Sequence, residues 1–340
     1  MLHFDSDYME GAHPEILKKL SEINFKKNPG YGMDAICESA REKIRAACGC
    51  PEGEVYFFVG GTQTNATVIR GLLRPFEGVL AADSGHISLH EAGAVEAGGH
   101  KVITIENREG KLCAEHVREY LLRFYGDENH AHMVRPGMVY ISHPTEYGTL
   151  YTKQELEELS KVCREYKIPL YLDGARLSYA LAAEGTDVNL KVIAENCNVF
   201  YIGGTKTGAM MGEAVVFPKP LEENFFTIVK QSGALLAKGW ILGVQFDVLF
   251  TEELYLECGK NGIRTASMLR KGLKEKGYSF YIESPTNQIF VVLENTKMQE
   301  LKAKVSFSFW EALDESHTVV RFATSWATQE EEIKELLNCL

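Results

Sequence analysis

Two residues carry the chemistry to be explained, an aspartate and a lysine. The segment Ile168-Pro-Leu-Tyr-Leu-Asp-Gly-Ala-Arg176 is an apolar run that ends in Asp173. The next such run, Asn198-Val-Phe-Tyr-Ile202, ends in Gly203-Gly-Thr-Lys-Thr-Gly208, with Lys206 among glycines and threonines. Both runs read as buried strands, and open α/β sheets bind ligands outside the carboxyl ends of their strands. Parallel neighbouring strands would bring Asp173 and Lys206 to one sheet edge. An amine and a carboxylate placed together suit pyridoxal phosphate (PLP). The amine binds its aldehyde, and the carboxylate keeps the ring nitrogen protonated as an electron sink. A helix N-cap for Asp173 and a solvated loop position for Lys206 are the plainer alternatives, and the order and spacing of the pair favour the joint reading.

Three further groups fit around that pair. Phe58-Val-Gly60-Gly61-Thr62-Gln63 follows a strand and opens a helix, where free N–H groups and the helix dipole would seat a phosphate, with Thr62 adding a hydroxyl. A tight structural turn is the alternative. The segment is not GxGxxG, and Lys206 lacks the context of a P-loop. His86, directly after a strand in Asp83-Ser-Gly-His-Ile-Ser-Leu-His90, could stack on a pyridine ring. His90 reads as structural or solvent-facing, and no second ligand cluster supports a metal site. Arg321 sits in the apolar run Val319-Val-Arg-Phe-Ala323, where a guanidinium needs an anion; a substrate carboxylate suits its planar fork, and an internal salt bridge is the other option.

The elements that must hold these residues alternate. Strands read at 54–59, 79–82, 100–105, 138–142, 168–172 and 198–202, with helices between them, so the sheet is mostly parallel and covered on both faces. Thr152-Lys-Gln-Glu155 is a capping box that opens one of the helices. From about residue 240 a long helical tract runs to Lys276, followed by short runs at 278–282, 288–293 and 318–324 and a terminal helix from Thr328. The expected division is a large domain over 1–245 and a small α+β domain over 246–340. Net charge is −11 with scattered basic residues, which excludes a nucleic-acid surface. No apolar stretch is long enough for a membrane span, no secretory signal is visible, and eight cysteines without a CxxC pair read as reduced cytoplasmic thiols.

With these residues assembled, the chain resembles the low-specificity threonine aldolases, in the fold-type-I family that also holds the aromatic β-eliminating lyases. The match runs through Ser6-Asp7, Gly11-Ala-His-Pro14, Tyr31-Gly32, Gly61-Thr62, the His86 segment, Asp173-Gly-Ala-Arg176, Lys206 and Arg321-Phe-Ala-Thr-Ser325. The resemblance implies an aspartate-aminotransferase-like large domain and cleavage of L-threonine or L-allo-threonine to glycine and an aldehyde. It makes Lys206, His86 and Asp173 catalytic, His86 being the ring-stacking group. It assigns Gly61, Thr62 and Gln63 to the phosphate, adds Arg176 to the cofactor contacts, and gives Ser6, Arg176 and Arg321 to the substrate carboxylate. It implies a homo-oligomer, dimer or tetramer, with Tyr31, Lys230 and Lys238 facing a neighbouring subunit. Leucines and lysine stand at 230–238 where many relatives have a glycine-rich stretch with arginine, and Thr145-Glu-Tyr-Gly148 replaces a second histidine. The base for the β-hydroxyl is therefore open among His90, Glu146 and a water. The rival readings are β-elimination or transamination on the same fold and, from another class, a non-catalytic phosphate- or nucleotide-binding module.

Overall fold

The computed structural model describes residues 1–221 and 224–340. Within them, one seven-stranded sheet runs in the spatial order Glu54–Phe58, Glu213–Phe217, Val199–Gly203, Leu170–Asp173, Arg135–Ser142, Glu77–Ala82, Val102–Ile105. Six strands run one way, and Glu213–Phe217 runs against both of its neighbours. Alternation along each strand fills two cores. Leu80, Val139, Leu172, Phe200 and Val216 face one layer of helices, while Val79, Tyr140, Tyr171, Tyr201 and Val215 face the other. A sheet buried on both faces explains why its strands read as continuous apolar runs.

Local signals set the helix ends. Thr152 and Glu155 form the expected capping box at the start of Lys153–Tyr166, and Asp34 caps Ala35–Cys48 by accepting the N–H groups of Ile36 and Cys37. The long helical tract after residue 240 is two helices, Trp240–Leu249 and Leu254–Glu275, separated by a turn in which Glu252 and Glu253 have positive φ. No helix among the described residues is long and apolar enough to cross a membrane.

A second sheet, ordered Ser308–Ala312, His317–Ala323, Gln288–Glu294, Phe280–Ile282, is antiparallel throughout and packs with the Leu254–Glu275 and Glu330–Cys339 helices. The division expected between 245 and 246 falls inside the Trp240–Leu249 helix, whose Phe246 and Leu249 pack into the large core. Conversely, Phe4 packs into the small core, and Leu2–His3 pairs in parallel with Val305–Ser306. The N-terminal segment thus runs from the small sheet to the edge of the large one.

Candidate active site

Asp173 ends one strand and Lys206 lies in the loop just past Gly203, the end of its parallel neighbour, the two strands pairing through Tyr171↔Val199 and Leu172↔Phe200. Two glycines let the following loops touch backbone to backbone. A Cβ on Gly174 would strike the carbonyl oxygen of Tyr201, and one on Gly203 would strike the backbone of Ala175. The Lys206 loop is pinned by hydroxyls: Tyr179 donates to the Lys206 carbonyl at 2.6 Å and Tyr255 to that of Gly203 at 3.0 Å. Asp173 and Lys206 line one cavity of about 290 Å³, together with Gly60, Gly61, Thr62, His86 and Glu146. That size suits a cofactor-scale ligand.

The Asp173 carboxylate is surrounded by donors. Its Oδ2 accepts from Tyr140 Oη at 2.6 Å and Asn65 Nδ2 at 3.0 Å, and its Oδ1 accepts from the Ala175 N–H at 3.0 Å. Burial pushes its pKa up, but nearby His86 and the donors Tyr140, Tyr201 and Asn65 outweigh burial and hold it below the usual carboxylate value. For Lys206, burial and then the Arg176 charge pull the ammonium down to about 8, against Asp7, Asp173 and Glu213. Asn65 Nδ2 also donates to Glu91 Oε1 at 2.7 Å, and that oxygen lies 2.8 Å from His86 Nδ1. Glu91 is buried and so fixes the imidazole at the cavity wall, second-hand from the same asparagine that steadies Asp173.

The helix Gly61–Leu72 opens on Gly60 with no side-chain cap, so its first N–H groups at the cavity are left for a ligand, as a phosphate seat requires. Thr62 stands at the rim of that seat. Gln63 does not line the cavity, and its Oε1 instead lies 3.4 Å from the N–H of Val59. An uncapped helix start, a fixed imidazole wall, a buried carboxylate and an amine of lowered pKa, all on one cavity, fit the pyridoxal phosphate expected from the sequence.

The beta-eliminating lyase family model matches residues 3–296. The chain belongs to that family. Among similar proteins, a low-specificity L-threonine aldolase of Pseudomonas aeruginosa is 28% identical over 337 residues, covering 98% of this chain and 95% of the relative. A solved structure of Leishmania major threonine aldolase is 42% identical, with a TM-score of 0.95 over 99% of this chain and 98% of that one. An aspartate aminotransferase of Thermus thermophilus, at 18% identity and a TM-score of 0.75, matches in fold over 100% of this chain and 90% of that one.

Elsewhere in the lyase, the arginines expected at a substrate carboxylate stand differently from one another. Arg176 is held by Asp7, Nε to Oδ2 at 2.6 Å and Nη2 to Oδ1 at 3.0 Å, a buried bidentate pair the sequence reading did not anticipate. Arg321 spends Nη1 on Gln288 Oε1 and Nη2 on the Asp5 carbonyl and Ser308 Oγ. Its Nε and the hydroxyl of Ser6 are buried without a partner; neither residue lines the cavity, whereas Arg176 does. Tyr31, Lys230 and Lys238 lie away from the cavity; Lys230 Nζ sits 4.6 Å from the Tyr31 ring centre, beside a separate groove lined by Tyr31, Met33 and Phe226. His90 is exposed and does not line the cavity, whereas Glu146 does, with Oε1 accepting from the His86 N–H at 2.9 Å and Ser142 Oγ at 2.7 Å.

Sequence reading passed over Asn65, Glu91, Tyr140, Asp7 in its pairing role, and Glu213. Of these only Tyr140 left a trace, a phenol in a buried strand opposite Tyr171, whose own hydroxyl donates to Asn65 Oδ1 at 2.7 Å. The others meet the site through tertiary contacts that no local pattern encodes.

Proposed function

We propose that this chain is a PLP-dependent aldehyde lyase that cleaves L-threonine or L-allo-threonine, β-hydroxy-α-amino acids, to glycine and an aldehyde. The observation that carries the reading is the convergence of Asp173 and Lys206 from adjacent parallel strands on one cavity. Membership of the lyase family and likeness to two proteins named threonine aldolases support the reaction type. Held by Lys206, His86, Asp173 and the N–H groups at Gly61 and Thr62, pyridoxal phosphate supplies a sink for the electron pair left on Cα when Cα–Cβ breaks.

The chain's own groups do the rest. A lysine pulled down to about 8 keeps a fraction of neutral, nucleophilic amine near neutral pH. Asp173, held below the usual carboxylate value, stays anionic and would keep the ring nitrogen of a bound cofactor protonated. Arg176, fixed by Asp7 at the cavity wall, takes the substrate carboxylate, with the unpartnered Nε of Arg321 and Oγ of Ser6 as further donors to it. Holding the carboxylate sets which Cα bond overlaps the ring, so these groups choose the bond that breaks. Glu146 is the base for the β-hydroxyl in this reading, because it borders the cavity where His90 does not. Burial pushes its carboxyl up, which brings a base closer to working pH.

The groove at Tyr31 and Lys230, with Tyr31 44% and Met33 69% exposed, supports a homo-oligomer, dimer or tetramer, whose second copy covers it. Eight unpaired thiols support a cytoplasmic location. The reaction is tested by incubating the holoenzyme with L-threonine, L-allo-threonine and the D-isomers while measuring aldehyde and glycine, after borohydride reduction has mapped the cofactor-bearing lysine. Release of ammonia and a keto acid without glycine would replace aldol cleavage by β-elimination. The absence of visible absorbance with added pyridoxal phosphate would sink both.

A further inference from the structure

Four buried polar side chains stand close together where the chain enters the strand Gln288–Glu294, and together they touch both sides of the site. Ser284, Thr286, Asn287 and Gln288 are each 4% exposed or less. Ser284 Oγ and Thr286 Oγ1 both donate to the Gly148 carbonyl, at 3.3 and 3.2 Å, and Gln288 Nε2 donates to that of Glu146 at 3.5 Å. A Cβ on Gly148 would strike both hydroxyls, and its φ of +73° is one that glycine takes freely. Between those carbonyls the Tyr147 ring packs on Trp310 and Phe290 of the small sheet, at 5.5 and 6.2 Å between ring centres. The loop that carries Glu146 is thus held by the small sheet and the segment leading into it. Asn287 serves a second wall. Its Nδ2 donates to Asp7 Oδ2 at 2.9 Å and to the Thr324 carbonyl at 2.8 Å, and that same Oδ2 accepts Arg176 Nε at 2.6 Å. Both of its contacts are acceptors, so the amide cannot be turned over, and its own Oδ1 is left buried without a partner. An amide kept there with an orphaned oxygen is kept for its two donors. Arg176 and Glu146 line the cavity, and none of these four residues does.

We propose that residues 284–288 are a spacer that sets the distance between the two groups meeting the ends of the amino acid. Asn287 places Arg176, through Asp7, for the carboxylate. Thr286 and Ser284 place Glu146, through the Gly148 carbonyl, for the β-hydroxyl. The proposal deepens the functional reading above and rests on it for the roles of Arg176 and Glu146. In a β-hydroxy-α-amino acid only Cα and Cβ separate the carboxylate from the hydroxyl, so the two partners must be held at a matching separation. Both hang on one short, buried segment, so neither drifts from the other when the small sheet shifts. These are positioning residues, each acting through another side chain or through the backbone beside it.

The test compares full-length wild type, Asn287→Leu and the double variant Ser284→Ala with Thr286→Val, each first shown by thermal unfolding to be folded. Leucine matches the amide in size and has no donor, and Asn287→Ala takes its place should leucine prevent folding. Glycine has the carboxylate and no β-hydroxyl, so its titration of the holoenzyme, followed by visible absorbance, reads the Arg176 end alone. The Asn287 variant should need about tenfold more glycine for half-saturation, the loss expected with a hydrogen bond to a charged group, and KM for L-allo-threonine should rise with it. The double variant should bind glycine as wild type does and lose about 10²-fold in kcat, the effect of misplacing a reacting group by about 1 Å. In cofactor-free protein, hydrogen exchange at 145–149 should quicken in the double variant and stay unchanged in Asn287→Leu. Unchanged glycine affinity in a folded Asn287 variant, unchanged exchange at 145–149 in the double variant, or parallel losses of glycine affinity and kcat in both would overturn the proposal. A wild type without cofactor absorbance would defeat the functional reading instead, and the exchange pattern then judges the anchoring of the Glu146 loop by itself.

Discussion

Replacing Asp173 by asparagine changes one atom and two properties of the site. The carboxylate now receives three donors: Tyr140 Oη and Asn65 Nδ2 on one oxygen, and the Ala175 N–H on the other. An amide offers one oxygen, so in either orientation its NH2 faces at least one of those donors. A buried donor left without an acceptor costs about 1–3 kcal/mol, which a protein of this size survives. The catalytic loss is separate and larger. In the proposed function, losing the fixed negative charge would leave the cofactor's ring nitrogen without its counter-charge, and removal of one preorganised electrostatic contact typically lowers kcat by about 10²–10³. The assay is steady-state aldehyde release from L-allo-threonine, beside a cofactor titration and a urea unfolding curve of the same preparation. We expect retained cofactor binding, a modestly lower urea midpoint and a kcat reduced by that factor. A near-native kcat would remove Asp173 from the electronic role, and loss of cofactor affinity with no other defect would make it a packing residue.

Arg321→Lys keeps the charge but loses the fork that bonds Gln288, Asp5 and Ser308, so KM for L-allo-threonine should rise strongly and kcat should fall, with cofactor affinity unchanged; weakened cofactor binding at constant KM would refute this. Asp7→Asn strips Arg176 of its buried counter-ion and should destabilise the fold by about 3–5 kcal/mol, seen as a lower urea midpoint at pH 7. Burial pushes the Asp7 carboxyl up, yet Arg176 and Lys206 hold it far below its ordinary 3.8. Its contribution is therefore fully present above that value, starts to shrink as pH falls below it and is lost only well beneath it, so the gap between wild type and variant should narrow progressively below pH 3.8, and a constant gap would contradict the pairing. Glu146→Gln should lower kcat by about 10²–10⁴ and flatten the acid limb of the pH profile while glycine still perturbs the visible spectrum; an unaltered profile would return the role to water.

The large sheet was legible because burial on both faces writes strands as unbroken apolar runs, and Asp173 and Lys206 because each punctuates the end of such a run. Glu213–Phe217 escaped notice: it follows a glycine-rich loop at once, its five residues open with a glutamate, and nothing local says that the chain turns back rather than crossing over. Ser308–Ala312, an edge strand with no buried residue and a register shift between Phe309 and Glu311, carries too weak a pattern to register. The break between the helices at 240–249 and 254–275 lies in Phe250-Thr-Glu-Glu253, where two glutamates that favour a helix by propensity take positive φ instead. Arg176 illustrates the limit within the site. Its motif marked it as important, but its partner Asp7 lies 169 residues away and could be found only once the chain was folded.

The path of the N-terminal segment sets an order of assembly. Asp5, Ser6 and Asp7 are synthesised first, yet the Asp5 carbonyl bonds Arg321, 316 residues later. Closing that span costs roughly 2 kcal/mol more chain entropy than closing the thirty-odd residues between Asp173 and Lys206. The turn at Gly60–Thr62 and the Asp173–Lys206 edge can form on a growing chain, while the corner holding Ser6, Asp7, Arg176 and Arg321 closes only after the small sheet exists. A nascent chain halted before residue 305 lacks the strand on which Leu2–His3 docks, so the N-terminal segment is held in place only once nearly the whole chain has been made.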